Sequence, residues 1–299
     1  MTNPYIDEHI HFDPSTVPQW PVSILHKRWA EIKERGKFEK HVNLQLSIEV
    51  GYIAMEMMNE YYRDDEYRRT KYGAHNYYDQ SVIFAGYPEW AGQVGDLYFS
   101  QHEENHVKGW YEENYPGKFV IIANLSGTSK HKLFYNAEKI IKEFLSRHPD
   151  AVCVTMGDKE CADHLEFKGD RIKNAAGKIP YRQSMLMTKY SNLTIGAESG
   201  LMVAATLLGC PTVQLMTAAS IKNHGGDFVN DFSIQSPAKC SPCHKGPYDY
   251  IGCPTFEHLG MKYPACVKFN ENVVLGRMEE IYDSYRKSKE NKGASLSSL

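Results

Sequence analysis

The sequence predicts an α/β protein built around a parallel, Rossmann-like sheet. From residue 117 onward, short continuous apolar runs alternate five times with amphipathic helical patterns. Continuous apolar runs of strand length are typical of strands that are buried on both faces. A helix between successive strands implies right-handed βαβ crossovers, and these crossovers make neighbouring strands parallel.

The apolar runs place the strands of this sheet at residues 119–124, 151–156, 171–174, 193–196 and 211–216. The helical patterns lie between and after the strands, at residues 135–147, 159–167, 181–190, 199–208 and 270–289. The C-terminal residues 291–299 are rich in serine, and we expect them to form a disordered tail.

The first part of the chain predicts a less regular structure. Residues 41–48 alternate apolar and polar side chains, which is typical of a strand, and residues 49–62 follow a helical pattern. The densely charged stretch 62–69 is expected to be a solvated face or a loop. Residues 81–85 predict a short strand, and residues 92–113 predict a long polar helix that ends before a proline–glycine pair.

Composition and charge argue against several classes of protein. The chain has 299 residues, of which 42% are hydrophobic, and a formal net charge of −3, so neither a disordered chain nor nucleic acid as partner is expected. No run approaches about 18 consecutive apolar residues, which argues against a transmembrane helix. The N-terminus lacks the basic and apolar pattern of a secretory signal. We therefore expect a cytoplasmic protein, with peripheral contact with a membrane left open.

Ligands of parallel sheets bind outside the carboxyl ends of the strands, and the loop 126–132 is the first such place in this chain. This loop combines hydroxyls, a glycine and two lysines. Hydroxyl and ammonium groups are the donors that a diphosphate needs, and they make candidates of Thr128, Ser129 and Lys132. The spacing is not that of a Walker A loop, and the alternative is an exposed polar turn.

Two further loops follow strands. Ser199 and Gly200 open a predicted helix, so their backbone N–H groups would meet a phosphate with the positive end of the helix dipole. Glu198 precedes them and can accept hydrogen bonds from a sugar or ribose. Gly157 opens the charged loop 157–160, where a carboxylate often holds a ribose. The alternatives are a capped helix behind a tight turn and a solvated charged turn. The absence of G-x-G-x-x-G spacing counts against a nicotinamide dehydrogenase.

Four of the seven cysteines crowd into residues 240–266 with the form C-x2-C-x9-C-x12-C. The first two can offer both thiolates to one ion, and two more thiolates complete a tetrahedral site for zinc or iron. The segment is rich in turn-forming residues, so a metal would supply its folding energy. The alternatives are reduced or disulfide-paired cysteines, and His244 or His258 could replace a missing sulfur. The candidate ligands are Cys240, Cys243, Cys253 and Cys266.

The run 195–213 resembles the donor-binding signature of glycosyltransferase family 9, the family of ADP-heptose:lipopolysaccharide heptosyltransferases. Members usually carry Asp, then Ser or Thr, then Gly, with a His three residues on, ahead of an Ala-rich helix. Here Glu198 stands in the place of the Asp and Val203 in the place of the His. The stretch Thr128–Lys132 matches the family's Thr-x-x-x-Lys loop for the donor phosphates. Glu160 falls where the family keeps a carboxylate for the ribose.

The resemblance implies a GT-B fold of two Rossmann-like domains. Residues 1–116 would be an incomplete acceptor-side domain, because the family's first strand and the loop with its general base have no counterpart here. Residues 117–290 would be the donor-binding domain. The cysteine motif is similar to the metal-holding motif of autotransporter heptosyltransferases, and the implied ion is structural because the family's catalysis needs no metal.

The implied activity is transfer of a heptose-like sugar from a nucleotide-diphosphate sugar, with an ADP-sugar favoured. The acceptor would be a saccharide, a lipid-linked glycan or a protein. The leading alternative is a non-catalytic module for nucleotide-sugar binding or assembly. A nucleotide-sugar epimerase of related architecture is less favoured.

Overall fold

The computed structural model of the chain describes residues 53–55, 58–73, 75–93, 95–127, 129–159, 161, 168–226, 228–246, 253, 260 and 262–296, with isolated earlier residues at 3, 4, 6, 30, 34, 36, 40, 42 and 44. The predicted strand at 41–48 lies almost wholly outside these residues. Most of the predicted helix at 159–167 lies outside them as well.

Short elements form the part of the chain before the sheet. They are β1 (Ala54–Met55), α1 (Asp65–Tyr72), α2 (Tyr77–Phe84) and α3 (Gln101–Asn114), with 3-10 turns at Asn59–Tyr62 and Pro88–Trp90. The predicted helix at 49–62 is wrong in its middle, where the chain is extended as β1. The predicted helix at 92–113 begins later than expected, because a capping box of Ser100 and Glu103 sets the first turn of α3.

Capping side chains explain two other corrections. The Asp64 carboxylate accepts a hydrogen bond from the Tyr67 N–H at the start of α1, so most of the stretch predicted as a solvated face or a loop is helical. The Asn76 side chain accepts a hydrogen bond from the Tyr78 N–H at the start of α2. The run 81–85, predicted as a strand, is therefore the end of a helix, and short apolar runs do not separate the two structures by periodicity alone.

A parallel sheet follows, as the sequence predicts, but it has six strands and not the five that were predicted, because the chain adds a short strand at Ile234–Gln235. Its strands are β2 (Phe119–Asn124), β3 (Ala151–Met156), β4 (Ile172–Asn174), β5 (Leu193–Ala197), β6 (Thr212–Met216) and β7 (Ile234–Gln235). Their spatial order is β4-β3-β2-β5-β6-β7, and every neighbouring pair is parallel. From β2 the chain builds outward in one direction and from β5 in the other. The switch point of the topology therefore lies between β2 and β5.

Helices cover the two faces of the sheet. They are α4 (Ala137–Arg147), α5 (Tyr181–Lys189), α6 (Gly200–Leu207), the short α7 (Ile221–His224) and α8 (Glu271–Leu296). The last helix extends past its predicted end near residue 289, so the first part of the predicted disordered tail is helical. A two-residue strand, β8 (Lys245–Gly246), pairs with β1 in parallel. No helix within the described ranges is long and apolar enough to cross a membrane.

Alternate side chains of β2 enter two different cores. Phe119 and Ile121 pack with residues of α4 and α8, whereas Val120 and Ile122 pack with residues of α3 and α5. All four side chains are buried. A continuous apolar run is typical of a strand that is buried on both faces, and β2 is such a strand. Its carboxyl end lies at the switch point of the sheet.

Candidate functional site

A cavity of about 480 Å³ opens at the carboxyl ends of the neighbouring strands β2 and β5. We call it the switch cavity. Open α/β sheets bind their ligands at the switch point, because the loops that follow the two central strands lead in opposite directions and leave a crevice between them. Its wall joins the end of β2, the loop after β3, the start of α5 and the start of α6. The lining residues used below are Asn124, Lys132, Gly157, Cys161, Gly177, Tyr181, Glu198, Ser199, Gly200 and Leu201.

The loop after β2 is a tight turn that presents Lys132 to the switch cavity. The Gly127 N–H donates to the Lys132 carbonyl at 2.7 Å, and the Lys132 N–H donates to the Ser129 carbonyl at 2.8 Å. A Cβ on Gly127 would lie 3.0 Å from the Cβ of Lys132, so the glycine leaves room for the lysine stem. Lys132 lines the cavity, and its charge acts on the nearby Glu198 carboxyl group.

Glu198 is a buried carboxyl group at the end of β5, with 3% of its surface exposed. Its Oε1 lies 3.4 Å from the Thr217 hydroxyl and 4.0 Å from His131 Nε2. Its Oε2 has no hydrogen-bond partner within the described part of the chain. Burial raises the pKa of Glu198, while the nearby Lys132 charge lowers it. Burial also lowers the pKa of His131 to about 3, so that imidazole is neutral.

The N-terminus of α6 is open toward the switch cavity. Ser199 stands at the N-cap position with extended backbone, but its side chain makes no capping hydrogen bond. Its hydroxyl instead donates to Oδ1 of Asn124 at 3.1 Å, across to the end of β2. Gly200 and Leu201 line the cavity, so the first N–H groups of α6 are left for a ligand.

Gly157 closes the turn after β3 in a conformation that few other residues adopt, with φ of 138°. A Cβ there would lie 2.3 Å from Sγ of Cys161 and 2.8 Å from Nδ2 of Asn124. The Asp158 carboxylate then accepts a hydrogen bond from the Cys161 N–H at 3.0 Å, which is the geometry of a helix cap. The glycine thus allows the loop after β3 to pack against the end of β2.

The structure brings together most of the residues that the sequence singles out. Lys132, Gly157, Glu198, Ser199 and Gly200 all line the switch cavity. Ser129 is described but is not part of the cavity wall, although its carbonyl shapes the turn before Lys132. Thr128 and Glu160 lie outside the described residues.

Seven residues of the wall were not predicted from the sequence, namely Asn124, Cys161, Gly177, Ile179, Tyr181, Ser184 and Leu201. Asn124 is the one polar residue of an otherwise apolar strand, and this signal could have marked it. Gly177 and Tyr181 flank the start of α5, and no motif connects them with the other loops. They reach the cavity only because α5 packs beside α6.

The cysteine segment forms a second candidate site. All four cysteines have free thiols, and each is partly exposed. Burial and the neighbouring thiols raise the pKa of Cys243 to about 11, and the pKa values of Cys240 and Cys266 are raised for the same reasons. The neighbouring thiols contribute to each of these three shifts. However, no three His, Cys, Asp or Glu side chains converge as a metal site in the part of the chain that the structure describes.

Residues 239–246, which we call the knuckle, are held by an N-terminal unit made of β1, the first 3-10 turn and α1. Arg68 donates from Nε to the Cys243 carbonyl at 2.7 Å, and Arg69 donates from Nε to the Pro242 carbonyl at 3.0 Å. The Ala54 N–H donates to the His244 carbonyl at 2.7 Å, beside the β1–β8 pairing. The N-terminal unit therefore contacts a segment about 170 residues away in sequence.

Comparisons with known proteins agree with this architecture. No protein-family model matches the chain, and no curated protein matches it in sequence. The structure of a family 9 glycosyl transferase from Veillonella parvula is similar, with a TM-score of 0.54 and 15% identity, over 87% of this chain and 78% of that chain. This similarity shows the α/β fold of that glycosyltransferase, as the sequence resemblance implies.

Two heptosyltransferase structures align over less of their length. For ADP-heptose lps heptosyltransferase II of E. coli, the TM-score is 0.49 at 13% identity, over 71% of this chain and 63% of that chain. For the iron-containing dodecameric glycosyltransferase TibC of enterotoxigenic E. coli, the TM-score is 0.43 at 15% identity, over 57% of this chain and 47% of that chain. The chain thus spans less than two thirds of the length of either heptosyltransferase.

Proposed function

We propose that the chain is a glycosyltransferase that binds a nucleotide-diphosphate sugar in the switch cavity. One observation carries the proposal: Lys132, Glu198 and the open N-terminus of α6 converge on a single cavity at the switch point. An ammonium group and free helix N–H groups together suit a diphosphate. The fold shared with a family 9 glycosyltransferase supports the same ligand class.

In this proposal the diphosphate lies at the start of α6 and the Lys132 ammonium contacts it. During transfer, an acceptor hydroxyl oxygen attacks the anomeric carbon, the bond from that carbon to the phosphate oxygen breaks, and the acceptor proton passes to a base. Negative charge then grows on the leaving nucleotide diphosphate. Lys132 and the helix N–H groups stabilise that charge in the transition state. None of the residues named above is assigned as the base.

The remaining roles follow from the same placement. Glu198 lines the cavity and would orient the sugar or the second phosphate. Gly157, Ser199 and Gly200 would leave space for the donor, and Glu160 would bind its ribose. Thr128 and Ser129 would assist Lys132, as the resemblance implies. Residues 117–290 would then be the donor-binding domain, with residues 1–116 on the acceptor side, and the cytoplasmic location stays a prediction.

The donor and acceptor are proposed from the resemblance. We favour an ADP-sugar with a heptose-like sugar, transferred without a catalytic metal to a saccharide, a lipid-linked glycan or a protein. The structures named above as heptosyltransferases make this sugar the first to test.

Isothermal titration of the full chain with ADP-, UDP- and GDP-sugars tests donor binding. We expect one series to bind more tightly than about 1 mM, and Lys132→Ala to weaken that binding at least tenfold through the lost charge. Lys130→Ala is the matched control, because Lys130 is exposed on the same loop and does not line the cavity. If no series binds more tightly than about 1 mM, the donor site is not supported.

A non-catalytic nucleotide-sugar-binding module is the second candidate. The described residues that converge on the cavity come from β2 onward, and no acceptor-side base is identified among them. Turnover separates the two candidates. Transfer of any activated sugar to any acceptor rejects the module, whereas donor binding without transfer to saccharide, lipid-linked and protein acceptors supports it.

We also propose that Cys240, Cys243, Cys253 and Cys266 hold one structural ion, zinc or iron. Four cysteine thiolates are a suitable donor set for either metal, and the sequence of their segment is rich in turn-forming residues. Elemental analysis of protein purified under reducing conditions should find one zinc or iron per chain. Cys240→Ser should lower that ratio, and protein with neither metal would contradict the proposal.

A further inference from the structure

Tyr181 stands beside the open N-terminus of α6. It is the first residue of α5, lines the switch cavity and has 58% of its surface exposed. A Cβ placed on Gly200 would lie 2.4 Å from the Tyr181 hydroxyl oxygen, but 3.5 Å from the ring carbon Cζ. The hydroxyl therefore occupies the space that only a glycine at position 200 leaves free.

The Tyr181 hydroxyl is available as a hydrogen-bond donor. It makes no hydrogen bond to any other residue that the structure describes, although it lies against the first turn of α6. Partial burial raises the pKa of Tyr181, so the phenol keeps its proton at neutral pH. A protonated phenol beside free helix N–H groups can donate to the same oxygen atoms as those groups.

A second observation points to a ligand at this place. Glu198, only 3% exposed, leaves Oε2 buried and without a partner among the described residues, and Glu198 is one of the residues that line the same cavity. A buried oxygen without a partner is costly in a folded protein unless a ligand or ordered water meets it. The Lys132 charge lies on the same wall.

We propose that the Tyr181 hydroxyl donates a hydrogen bond to a phosphate of the nucleotide bound at the start of α6. This inference rests on the proposed donor site and adds to it a residue that positions the diphosphate. Gly200 then leaves space for two groups, the phosphate and the Tyr181 hydroxyl that contacts the phosphate. Tyr181 distinguishes phosphorylated ligands from nucleosides, since its hydroxyl meets only the phosphate.

Titration of the full chain with ADP, UDP and GDP, and with the nucleoside of the tightest binder, tests the proposal. Tyr181→Phe should weaken binding of the nucleoside diphosphate about tenfold, as expected for a lost hydrogen bond to a charged group. It should leave nucleoside binding unchanged. Tyr135→Phe is the matched control, because Tyr135 is also exposed but lies outside the cavity.

A double-mutant cycle with Gly200 gives an independent result. On the tyrosine background, Gly200→Ala should displace the hydroxyl and weaken binding about tenfold. On the Tyr181→Phe background the further loss should be clearly smaller than tenfold, because Cζ leaves room for the methyl group and only the space for the phosphate is reduced. Thermal unfolding of each variant shows that it is folded before titration.

The outcomes separate this inference from the proposed function. If the Tyr181→Phe variant binds the nucleoside diphosphate as tightly as the unchanged protein, while Lys132→Ala loses binding, the role of Tyr181 is overturned and the donor site is still supported. Fully additive losses in the cycle also overturn it. Unchanged protein that binds no nucleoside diphosphate overturns both proposals together.

Discussion

The sheet and the knuckle are stabilised in different ways. Strands β2, β3, β5 and β6 are buried on both faces, and each pairs with a neighbour through a continuous ladder. The knuckle has a two-residue ladder with β1, and much of its attachment consists of arginine side chains that donate to backbone carbonyls. Apolar burial is spread over many residues in the sheet, whereas a few polar contacts carry the knuckle. Single substitutions in the two regions should therefore act differently.

The largest effect is expected in the sheet core. Phe144 of α4 is fully buried and its ring lies 6.1 Å from the ring of Phe119 on β2. Phe144→Ala should lower the free energy of unfolding by about 3–5 kcal/mol, because it removes transfer energy and leaves a cavity. Urea denaturation measures the change. Val273→Ala on the exposed side of α8 should stay within about 0.5 kcal/mol, and an equal loss in both variants would contradict the core assignment.

A smaller effect is expected where the N-terminal unit meets the knuckle. Arg68 is 2% exposed and donates to the carbonyls of Cys243 and Tyr61. Arg68→Ala should lower the free energy of unfolding by about 2–4 kcal/mol, because buried carbonyls lose their donors. Lys71 of the same helix forms an exposed ion pair with Glu60, so Lys71→Ala should cost less than about 1 kcal/mol.

Amide hydrogen exchange shows which part of the chain loses stability in the Arg68→Ala variant. Amide exchange of the Arg68→Ala variant should speed up in residues 239–246 and leave β2 and β5 protected. Uniformly faster exchange across the sheet would show that the two regions unfold as one, against the comparison drawn here.

The smallest effect is expected from pH. Burial lowers the pKa of His131 to about 3 and that of His224 to about 4, so the unfolded chain binds protons near pH 6.5 that the folded chain does not. Stability should therefore fall as the pH falls, by about 1 kcal/mol between pH 7 and pH 6. Glu198 opposes this trend, because its raised pKa favours proton binding by the folded chain.

Urea denaturation at pH 7 and pH 6 measures this slope. His131→Gln should reduce it, whereas His102→Gln, on the exposed surface of α3, should leave it unchanged. Stability of the unchanged protein that does not vary between these pH values would contradict the assignment of buried, neutral imidazoles.

The difference between the sheet and the knuckle also explains how much of the fold could be predicted from the sequence. Strands β2 and β3 match their predicted bounds, because an apolar run of six residues between turn signals has one favourable environment, the inside of a sheet. Arg68 lies in a stretch predicted as a solvated face or a loop, yet it is buried. Its burial depends on carbonyls of the knuckle, and no local pattern encodes a partner so far along the chain.

In the candidate site, too, residues that follow predicted strands could be predicted, whereas residues that depend on packing between elements could not. Gly157, Glu198 and Gly200 follow strands that the sequence predicts, so the topology alone brings them to one edge. Asn124 and Tyr181 depend on packing: the first redirects the Ser199 hydroxyl, and the second lies over Gly200. Side-chain contacts between separate elements are visible only in the structure.

Amide hydrogen exchange of the full chain with and without ADP, UDP or GDP tests directly whether the nucleotide binds in the switch cavity. We expect the bound nucleotide to protect residues 129–132, around the lining Lys132, and residues 200–202 at the start of α6, with no change in the knuckle. Protection confined to the knuckle, or no protection by any of the three nucleotides at saturating concentration, would contradict the claim that the switch cavity is the donor site.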